Sequence, residues 1–379
     1  MCEYTAVRYR MEAAVVRPCA WGGGGTSITR SQSRSLIVLD AVKMRAVKFA
    51  RASRRLAKRS RTLRQIKERL TGRRQQIYLE LAGLRARLLG DAAVNLGTPV
   101  NPGNIIWIFG SGRSGSTWLR SMMGEMSYHR IWEEPMVGRL FGEFYARAPQ
   151  ENLRSAHFIM GEPIRKGWTR SIRNFVLDGA GYSNPQIGAD DYLVVKEPNG
   201  SVGAPLLMEA LPESHMILLV RDPRDVVASV FDAARSGGWL NDQLGRDATG
   251  RDALADRKPN IFVKRRANVY LQSVGGAKQA YDAHRGPKVL VRYEDLRAST
   301  LDEMRRIYSE LGITIDAAGL ERAVEKHSWE RVPDEEKGRG KVHRKARPGS
   351  WSEDLTEEQG RMVERITAPL LELFYPDGR

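Results

Sequence analysis

The feature that most constrains this chain is the segment IIWIFGSGRSGSTWLRSMM, residues 105–123, in which an apolar run leads into a glycine-rich loop and a helical pattern. The apolar run at 105–109 is short and β-branched, which is typical of a strand buried on both faces. Three glycines let the loop turn tightly, and a helix that begins near Ser116 adds unpaired N–H groups and a positive dipole end. The sequence therefore predicts an anion-binding loop between a buried strand and a helix.

Three kinds of nucleotide site fit this loop in part. The spacing from Gly110 to Gly115 outlines the phosphate loop of nucleotide hydrolases and kinases, but Ser116 stands where their lysine is required. The glycines also fit G-x-G-x-x-G, with two glutamates about twenty residues further on, which would indicate a dinucleotide-dependent oxidoreductase. The third alternative is a nucleotide that ends in sulfate and needs no metal, because Arg113 and the loop hydroxyls suit such an anion.

The rest of the chain predicts an α/β fold with a central parallel sheet flanked by helices. Apolar runs at 192–196, 216–220 and 288–292 alternate with helical stretches near 116–126, 203–211, 224–235 and 261–284. Ligands of such folds bind beyond the carboxyl ends of the strands. The stretches 135–190 and 236–260 lack periodicity and are predicted to be irregular walls of an acceptor site. Thr300–Glu303 and Thr356–Gln359 have the spacing of capping boxes that open two later helices.

Two further segments supply positive charge near the predicted crevice. Arg221 ends the strand at 216–220, and Ser229 follows eight residues later in a helix. Asp225, between them, is predicted to form a local ion pair. The basic segment at 343–351 adds Arg344 and Lys345, which either belong to a solvated loop or join the same anion site.

Four segments in this order resemble the sulfotransferase family: GRSGSTWL its 5′-phosphosulfate loop, RDPRDVVAS its 3′-phosphate motif, VRYEDL a strand-end signature, and RKARPGSW its late basic motif. In the last of these, Ala346 replaces a glycine. The resemblance covers about residues 104–375 and implies a fold like that of P-loop NTPases, with 3′-phosphoadenylyl sulfate as the donor and no metal. It implies that the donor is held by Arg113, Ser114, Gly115, Ser116 and Thr117 at its 5′ end, and by Arg221, Ser229, Arg344 and Lys345 at its 3′-phosphate.

The same resemblance suggests candidates for catalysis. IWEEP is similar to a Tyr-Glu-Pro stretch of carbohydrate sulfotransferases, so Glu134 is the first candidate for the base, with Glu133 beside it. Glu197, in VVKEP, is the rival, since the cytosolic branch has a histidine near that point. Arg113, or alternatively Lys196, is expected to neutralise the leaving phosphate oxygen. The expected acceptor is a small molecule or glycan, with a carbohydrate or glycolipid favoured.

The N-terminal part of the chain differs from the rest in charge. Residues 45–76 hold thirteen Lys and Arg against one acidic residue, and so contribute about +12 of the formal net charge of +16. We expect no fixed fold over 1–35, a basic amphipathic helical extension over 36–98, and the sulfotransferase domain over 99–379; Met44 is an alternative start. The extension is expected to pack on the domain, to self-associate, or to attach to an anionic membrane surface. Nucleic acid is disfavoured because no aromatic residues are interleaved with the charges.

The two cysteines, Cys2 and Cys19, offer no disulfide framework or zinc pattern, and the six histidines show no metal-ligand spacing. These features favour a cytoplasmic protein, peripheral to a membrane if the extension binds lipid. Two other functions fit the sequence less well. A kinase-like phosphotransferase would depend on Mg²⁺, and a non-catalytic module would bind nucleotide or polyanion through the basic N-terminal segment.

Overall fold

The structure is a computed structural model, and it describes residues 100–235, 238–240, 252–341 and 343–376. The segment 1–35, predicted to lack a fixed fold, and the helical extension over 36–98 lie outside the described residues, as does most of 236–251. The predictions about these segments, including attachment to a membrane, stay predictions.

Five strands form one sheet in the described part of the chain, and helices connect them. The strands are β1 (Ile105–Gly110), β2 (His129–Glu133), β3 (Tyr192–Lys196), β4 (His215–Val220) and β5 (Lys288–Arg292). The α-helices are α1 (Ser116–Met123), α2 (Val137–Ala146), α3 (Gln150–Leu153), α4 (Arg165–Ser183), α5 (Ala204–Ala210), α6 (Pro223–Ala234), α7 (Asp252–Arg257), α8 (Pro259–Ala283), α9 (Tyr293–Ala298), α10 (Thr300–Glu310), α11 (Ala317–Lys326) and α12 (Glu357–Phe374).

The order of the strands creates a crevice at one edge of the sheet. The order is β2-β3-β1-β4-β5, and every neighbouring pair is parallel. After β1 the chain moves to β2 on one side, whereas after β4 it moves to β5 on the other side. The loops that leave β1 and β4 therefore diverge, and a crevice opens between them beyond the carboxyl ends of the strands. The predicted α/β fold with a central parallel sheet is confirmed.

Helices cover both faces of this sheet. Ile105, Trp107 and Phe109 of β1 pack into one hydrophobic core with α4, α5 and α8. Ile106 and Ile108, which point to the opposite face, pack into a second core with α1 and α10. Burial on both faces explains why β1 is apolar at consecutive positions. Among the described helices, none combines the length and hydrophobicity that crossing a membrane requires.

The prediction of irregular chain over residues 135–190 is wrong, because α2, α3 and α4 occupy much of it. Glycines within α2 and α4 lower their helix propensity and obscure the helical pattern. In α2 a tertiary contact explains one of them. A Cβ on Gly142 would lie 2.4 Å from Cα of Gly203, so the glycine lets α2 approach the 3₁₀ turn Pro198–Gly203 that follows β3.

One of the two predicted capping boxes is confirmed. Thr356 Oγ1 accepts from the N–H of Gln359 at 3.2 Å, and the Gln359 side chain accepts from the N–H of Thr356 at 3.0 Å. The box at Thr300 is wrong, because α10 already begins at Thr300 and the preceding Ser299 makes no side-chain capping bond. Serine and threonine both suit the N-cap position, so the sequence did not distinguish these neighbours.

Candidate functional site

The loop after β1 holds the start of α1 in a conformation that depends on glycine. Gly115 is the N-cap of α1 with φ 95°, and a Cβ there would lie 2.6 Å from the ring of Tyr293. The N–H and the hydroxyl of Ser114 both donate to the carbonyl of Ser111, at 3.2 and 2.7 Å. Arg113 has φ 73°, a left-handed conformation that costs a non-glycine residue about 1–3 kcal/mol. The loop is thus held in a strained turn, and the first N–H groups of α1 have no carbonyl partner within the helix.

Arg221 lies at the end of β4 on the other side of the crevice, and it is buried. Its guanidinium stacks over the ring of Tyr293 at 4.2 Å and lies 3.6 Å from Asp225. Its Nη1 donates to the carbonyl of Arg113 at 3.2 Å, which ties the second strand end to the loop. Within the described residues its Nε is buried without a hydrogen-bond partner. A buried donor without a partner is costly in the folded chain.

The side chain of Arg113 lies near Arg221 and contacts α6. Its Nε donates to Ser229 Oγ at 3.0 Å and so links the loop after β1 to the second turn of α6, a contact that the sequence did not predict. Burial, together with the nearby charges of Arg221 and Arg344, lowers the pKa of Arg113 to about 10. Three guanidinium groups that repel one another in a buried place form a site that an anion would stabilise.

The basic segment 343–351 is held against this cluster by acidic side chains. Arg344 is buried and pairs with Asp354, which also accepts from Lys345 at 3.0 Å. Asp225, fully buried, accepts from the N–H groups of Gly349 and Trp351 at 2.8 and 2.9 Å. Asp225 is therefore more than the local ion-pair partner that the sequence predicted. It anchors a segment more than a hundred residues away, which no local pattern could indicate.

A cavity of about 440 Å³ opens between these groups. Among the described residues, seven Lys and Arg side chains, the two histidines His327 and His343 and one acidic side chain line it, together with the rings of two tryptophans and one tyrosine. The basic ones are Arg113, Arg221, Arg297, Lys326, Arg331, Arg344 and Lys345; the acidic one is Glu336; the aromatic ones are Trp118, Tyr293 and Trp329. Gly115, Ser116, Thr117 and Ser229 line the same cavity. The volume, the excess of positive charge and the flat rings suit an anionic ligand with an aromatic portion.

A second cluster, formed by Glu133, Glu134, Lys196 and Asn199, does not line this cavity. Lys196 Nζ, buried at the end of β3, donates to Glu133 Oε1 at 2.7 Å and to Glu134 Oε1 at 2.6 Å. Asn199 Nδ2 donates to Glu134 Oε2 at 2.8 Å. A Cβ on Gly112 would lie 3.0 Å from Asn199 Oδ1, so this cluster lies directly against the phosphate loop.

Glu197, the rival candidate for the base, is placed differently. It is fully buried, and its two oxygens accept from the N–H groups of Met136 and Gly138 at 2.9 and 3.1 Å. Burial raises its pKa to about 7. Its carboxyl group holds the start of α2 and does not face the cavity. In the described part of the chain, no group of His, Cys, Asp and Glu side chains is arranged to hold a metal ion.

Comparisons with known proteins give the following matches. Mouse sulfotransferase SULT7A1, complexed with PAP, is 15% identical over 73% of this chain and 87% of its own, with a TM-score of 0.44. Sulfotransferase STF9 from Mycobacterium avium is 15% identical over 83% and 85%, with 0.44, and STF1 from Mycobacterium tuberculosis is 17% identical over 79% and 87%, with 0.43. No curated protein matches the sequence. The model of the "Sulfotransferase family" matches residues 106–317, more than half of the chain, and so includes both loops of the crevice but not the segment 343–351.

Proposed function

The chain belongs to the sulfotransferase family, and from this premise we propose that it transfers the sulfuryl group of 3′-phosphoadenylyl sulfate to a hydroxyl or amine of an acceptor. The observation that carries the proposal is the convergence of Arg113, Arg221 and Arg344 in one buried cluster. All three side chains line the same cavity, where burial and the charges of Arg221 and Arg344 lower the pKa of Arg113.

The lining of the cavity fits this donor. Arg221, Ser229, Arg344 and Lys345 lie together and would bind the 3′-phosphate, while the loop 113–117 offers N–H groups and hydroxyls for the phosphosulfate end. The three aromatic rings offer faces for the adenine. Each charge-assisted hydrogen bond would contribute about 1.5–3 kcal/mol.

Glu134 is the group we assign as the base. Its carboxylate lies beside the phosphate loop, held by Lys196 and Asn199, and it is partly exposed. It would accept the proton of the acceptor as the acceptor oxygen or nitrogen bonds to sulfur. The bond from sulfur to the bridging oxygen breaks, and the electron pair leaves with 3′,5′-diphosphoadenosine. Glu197 is the weaker candidate because both of its oxygens already bind the backbone of α2.

Lys196 is the cation that lies nearest to this base. It contacts Glu134 at 2.6 Å, whereas the Arg113 side chain points to Ser229, among the groups assigned to the 3′-phosphate. We therefore propose that Lys196 orients Glu134 and offsets negative charge at the reacting atoms. Arg113 in turn contributes mainly to binding of the donor.

Two measurements test the proposal. In calorimetry, 3′,5′-diphosphoadenosine is expected to bind with higher affinity than adenosine 5′-phosphate, which lacks the 3′-phosphate. Incubation with ³⁵S-labelled donor and a cell lysate, with excess EDTA present, is expected to give a labelled product, whose identification gives the acceptor. Equal affinity for the two nucleotides, or transfer that requires Mg²⁺, would favour a phosphotransferase instead.

A further inference from the structure

The backbone that carries the candidate base is strained. Glu134 has φ 43° and Met136 has φ 63°, left-handed conformations that residues other than glycine rarely adopt. Such conformations persist only where the surrounding structure holds them, and they occur most often at active sites. The place of the Glu134 carboxylate therefore depends on the contacts that fix residues 134–136.

Two consecutive residues at the end of β3 provide these contacts. The N–H of Glu134 donates to the carbonyl of Lys196 at 2.9 Å. The side chain of Glu197 accepts from the N–H of Met136 at 2.9 Å and from that of Gly138 at 3.1 Å. The segment is thus held at its first residue by the backbone of β3, and at its last residue by one carboxyl group.

The carboxyl group of Glu197 is itself firmly placed. It is fully buried, and the N–H of Glu197 donates to the carbonyl of Ile108 in β1 at 3.0 Å. A Cβ on Gly200 would lie 1.9 Å from Glu197 Oε1, so a glycine is needed there to leave room for the carboxyl group. Because β1 leads into the loop that lines the donor cavity, Glu197 ties the backbone of the candidate base to the strand that carries this loop.

The chemistry of a carboxylate suits this contact. Both of its oxygens accept hydrogen bonds, whereas an amide of the same size offers one oxygen and turns an NH2 group toward the second N–H. Lys196 and Asn199 differ from Glu197 because they bond to the Glu134 side chain directly. Their bonds orient the Glu134 carboxylate, and the bonds to Glu197 fix the backbone from which this side chain extends.

From this geometry we infer that Glu197 is a positioning residue of the transfer reaction: its carboxylate fixes the backbone turn at Met136 and so keeps Glu134 beside the loop after β1. The inference rests on the proposed function, in which Glu134 accepts the proton of the acceptor. A base displaced by about 1 Å slows the reaction. Affinity for the donor is unaffected, since Glu197 does not line the donor cavity.

Two substitutions of Glu197 test this. Glu197→Gln is expected to lower the rate of ³⁵S transfer at saturating donor, with one cell lysate as the source of acceptor, about 10- to 100-fold. KM for the donor and Kd for 3′,5′-diphosphoadenosine are expected to stay within about twofold of the native values. Glu197→Asp keeps the charge but is one methylene shorter, and is expected to give the same difference between rate and affinity. In both variants the N–H groups of Met136 and Gly138 are expected to exchange faster with deuterium, as measured by mass spectrometry.

A double-mutant cycle with Glu134 separates positioning from a general loss of structure. In the background of Glu134→Gln no carboxylate remains to be positioned, so Glu197→Gln is expected to lower the transfer rate by less than about twofold. The control is Asp316→Ala. Asp316 accepts from the N–H groups of Ala318 and Gly319, at 3.1 and 2.8 Å, at the start of α11. Its loss is expected to lower Tm by a few degrees and to leave the transfer rate unchanged.

Four results would overturn the inference. The transfer rate of folded Glu197→Gln equals that of the native chain; the exchange of Met136 and Gly138 is unchanged; the loss of rate is equally large in the Glu134→Gln background; or Asp316→Ala slows transfer as much. A loss in Glu197→Gln that exceeds the loss in Glu134→Gln also overturns it, because Glu197 would then be the base itself.

Failure of the proposed function is read separately. If 3′,5′-diphosphoadenosine binds and transfer occurs, but the two substitutions act independently, only the inference about Glu197 fails. If 3′,5′-diphosphoadenosine does not bind to the native chain, the proposed function fails and the positioning role with it. Deuterium exchange in Glu197→Gln still reports, in that case, whether this carboxyl group holds the start of α2.

Discussion

Replacing Arg221 with methionine removes the guanidinium that the donor's 3′-phosphate is proposed to meet and keeps a side chain of similar length. The lost charge-assisted hydrogen bond is expected to cost about 1.5–3 kcal/mol of binding, which is about 10- to 150-fold in Kd for 3′,5′-diphosphoadenosine. Affinity for adenosine 5′-phosphate should change much less. The variant therefore loses most of its discrimination between the two nucleotides, which calorimetry measures directly.

Arg224→Met is the matched control, three residues away at the start of α6. The Arg224 guanidinium is as well buried as that of Arg221, but it pairs with Asp222 at 2.6 Å and with Glu364 at 2.5 Å, and it stacks on Trp351. Its loss is expected to lower the free energy of unfolding by about 1–3 kcal/mol, a drop of several degrees in Tm, and to leave discrimination between the nucleotides intact.

The two variants thus separate binding from stability. The reasoning is refuted if Arg221→Met stays within threefold of the native Kd and still distinguishes the two nucleotides. It is refuted equally if Arg224→Met, at a temperature where it is folded, loses the same discrimination, because the effect would then come from the shared start of α6.

Three further changes test other parts of the site. Glu134→Gln is expected to lower kcat about 10²- to 10⁴-fold without changing Kd for 3′,5′-diphosphoadenosine, and near-normal turnover would exclude Glu134 as the base. Gly115→Ala places a Cβ against the ring of Tyr293 at a backbone φ of 95°, and is expected to lower the free energy of unfolding, measured in urea, by about 1–3 kcal/mol. Gly167→Ala, in open space on α4, is the control and should raise this free energy slightly. The pKa of Glu197 is raised from an ordinary value near 4.5 to about 7 in the folded chain. Between these two pH values the folded state therefore binds more protons than the unfolded state. The free energy of unfolding should fall by about 3 kcal/mol as the pH rises through this range. Glu197→Gln should flatten that fall in Tm, and parallel pH profiles would show that another group causes it.

The strands that the sequence predicted are those that contain a run of at least three consecutive apolar residues. β3 and β5 were predicted at their observed bounds, and β1 and β4 within one residue, because their apolar runs are continuous. β2 was not predicted because its sequence HRIWE has only two consecutive apolar residues, and only one of its residues is buried. α2 was not predicted because its glycines, which allow the close contact with Gly203, weaken the helical pattern in the sequence.

The candidate site also contains both residues that the sequence predicted and contacts that it did not. Arg113 was predicted at one end of the donor, and Arg221 with Ser229 at the other, because each follows a strand end and the fold brings strand ends to one edge; the contact between Arg113 and Ser229 was not predicted. Asp225 was predicted only as a local partner, since its bonds to Gly349 and Trp351 span a distance in sequence that no spacing reveals.

The crevice holds two charge clusters of different composition, and their difference argues for a division of labour. Around Lys196 the charges balance, because Lys196 and Arg120 pair with Glu133 and Glu134, so that cluster is stable without a ligand and holds Glu134 in one orientation. Around Arg113, burial and two further guanidinium groups lower its pKa, and carboxylates hold both of these groups, Asp225 beside Arg221 and Asp354 on Arg344. An anion that enters the second cluster relieves repulsion already present in the folded chain, so part of its binding free energy comes from the protein. In the proposed function, selectivity for a doubly phosphorylated nucleotide would arise in the arginine cluster, and proton transfer would take place in the cluster around Lys196.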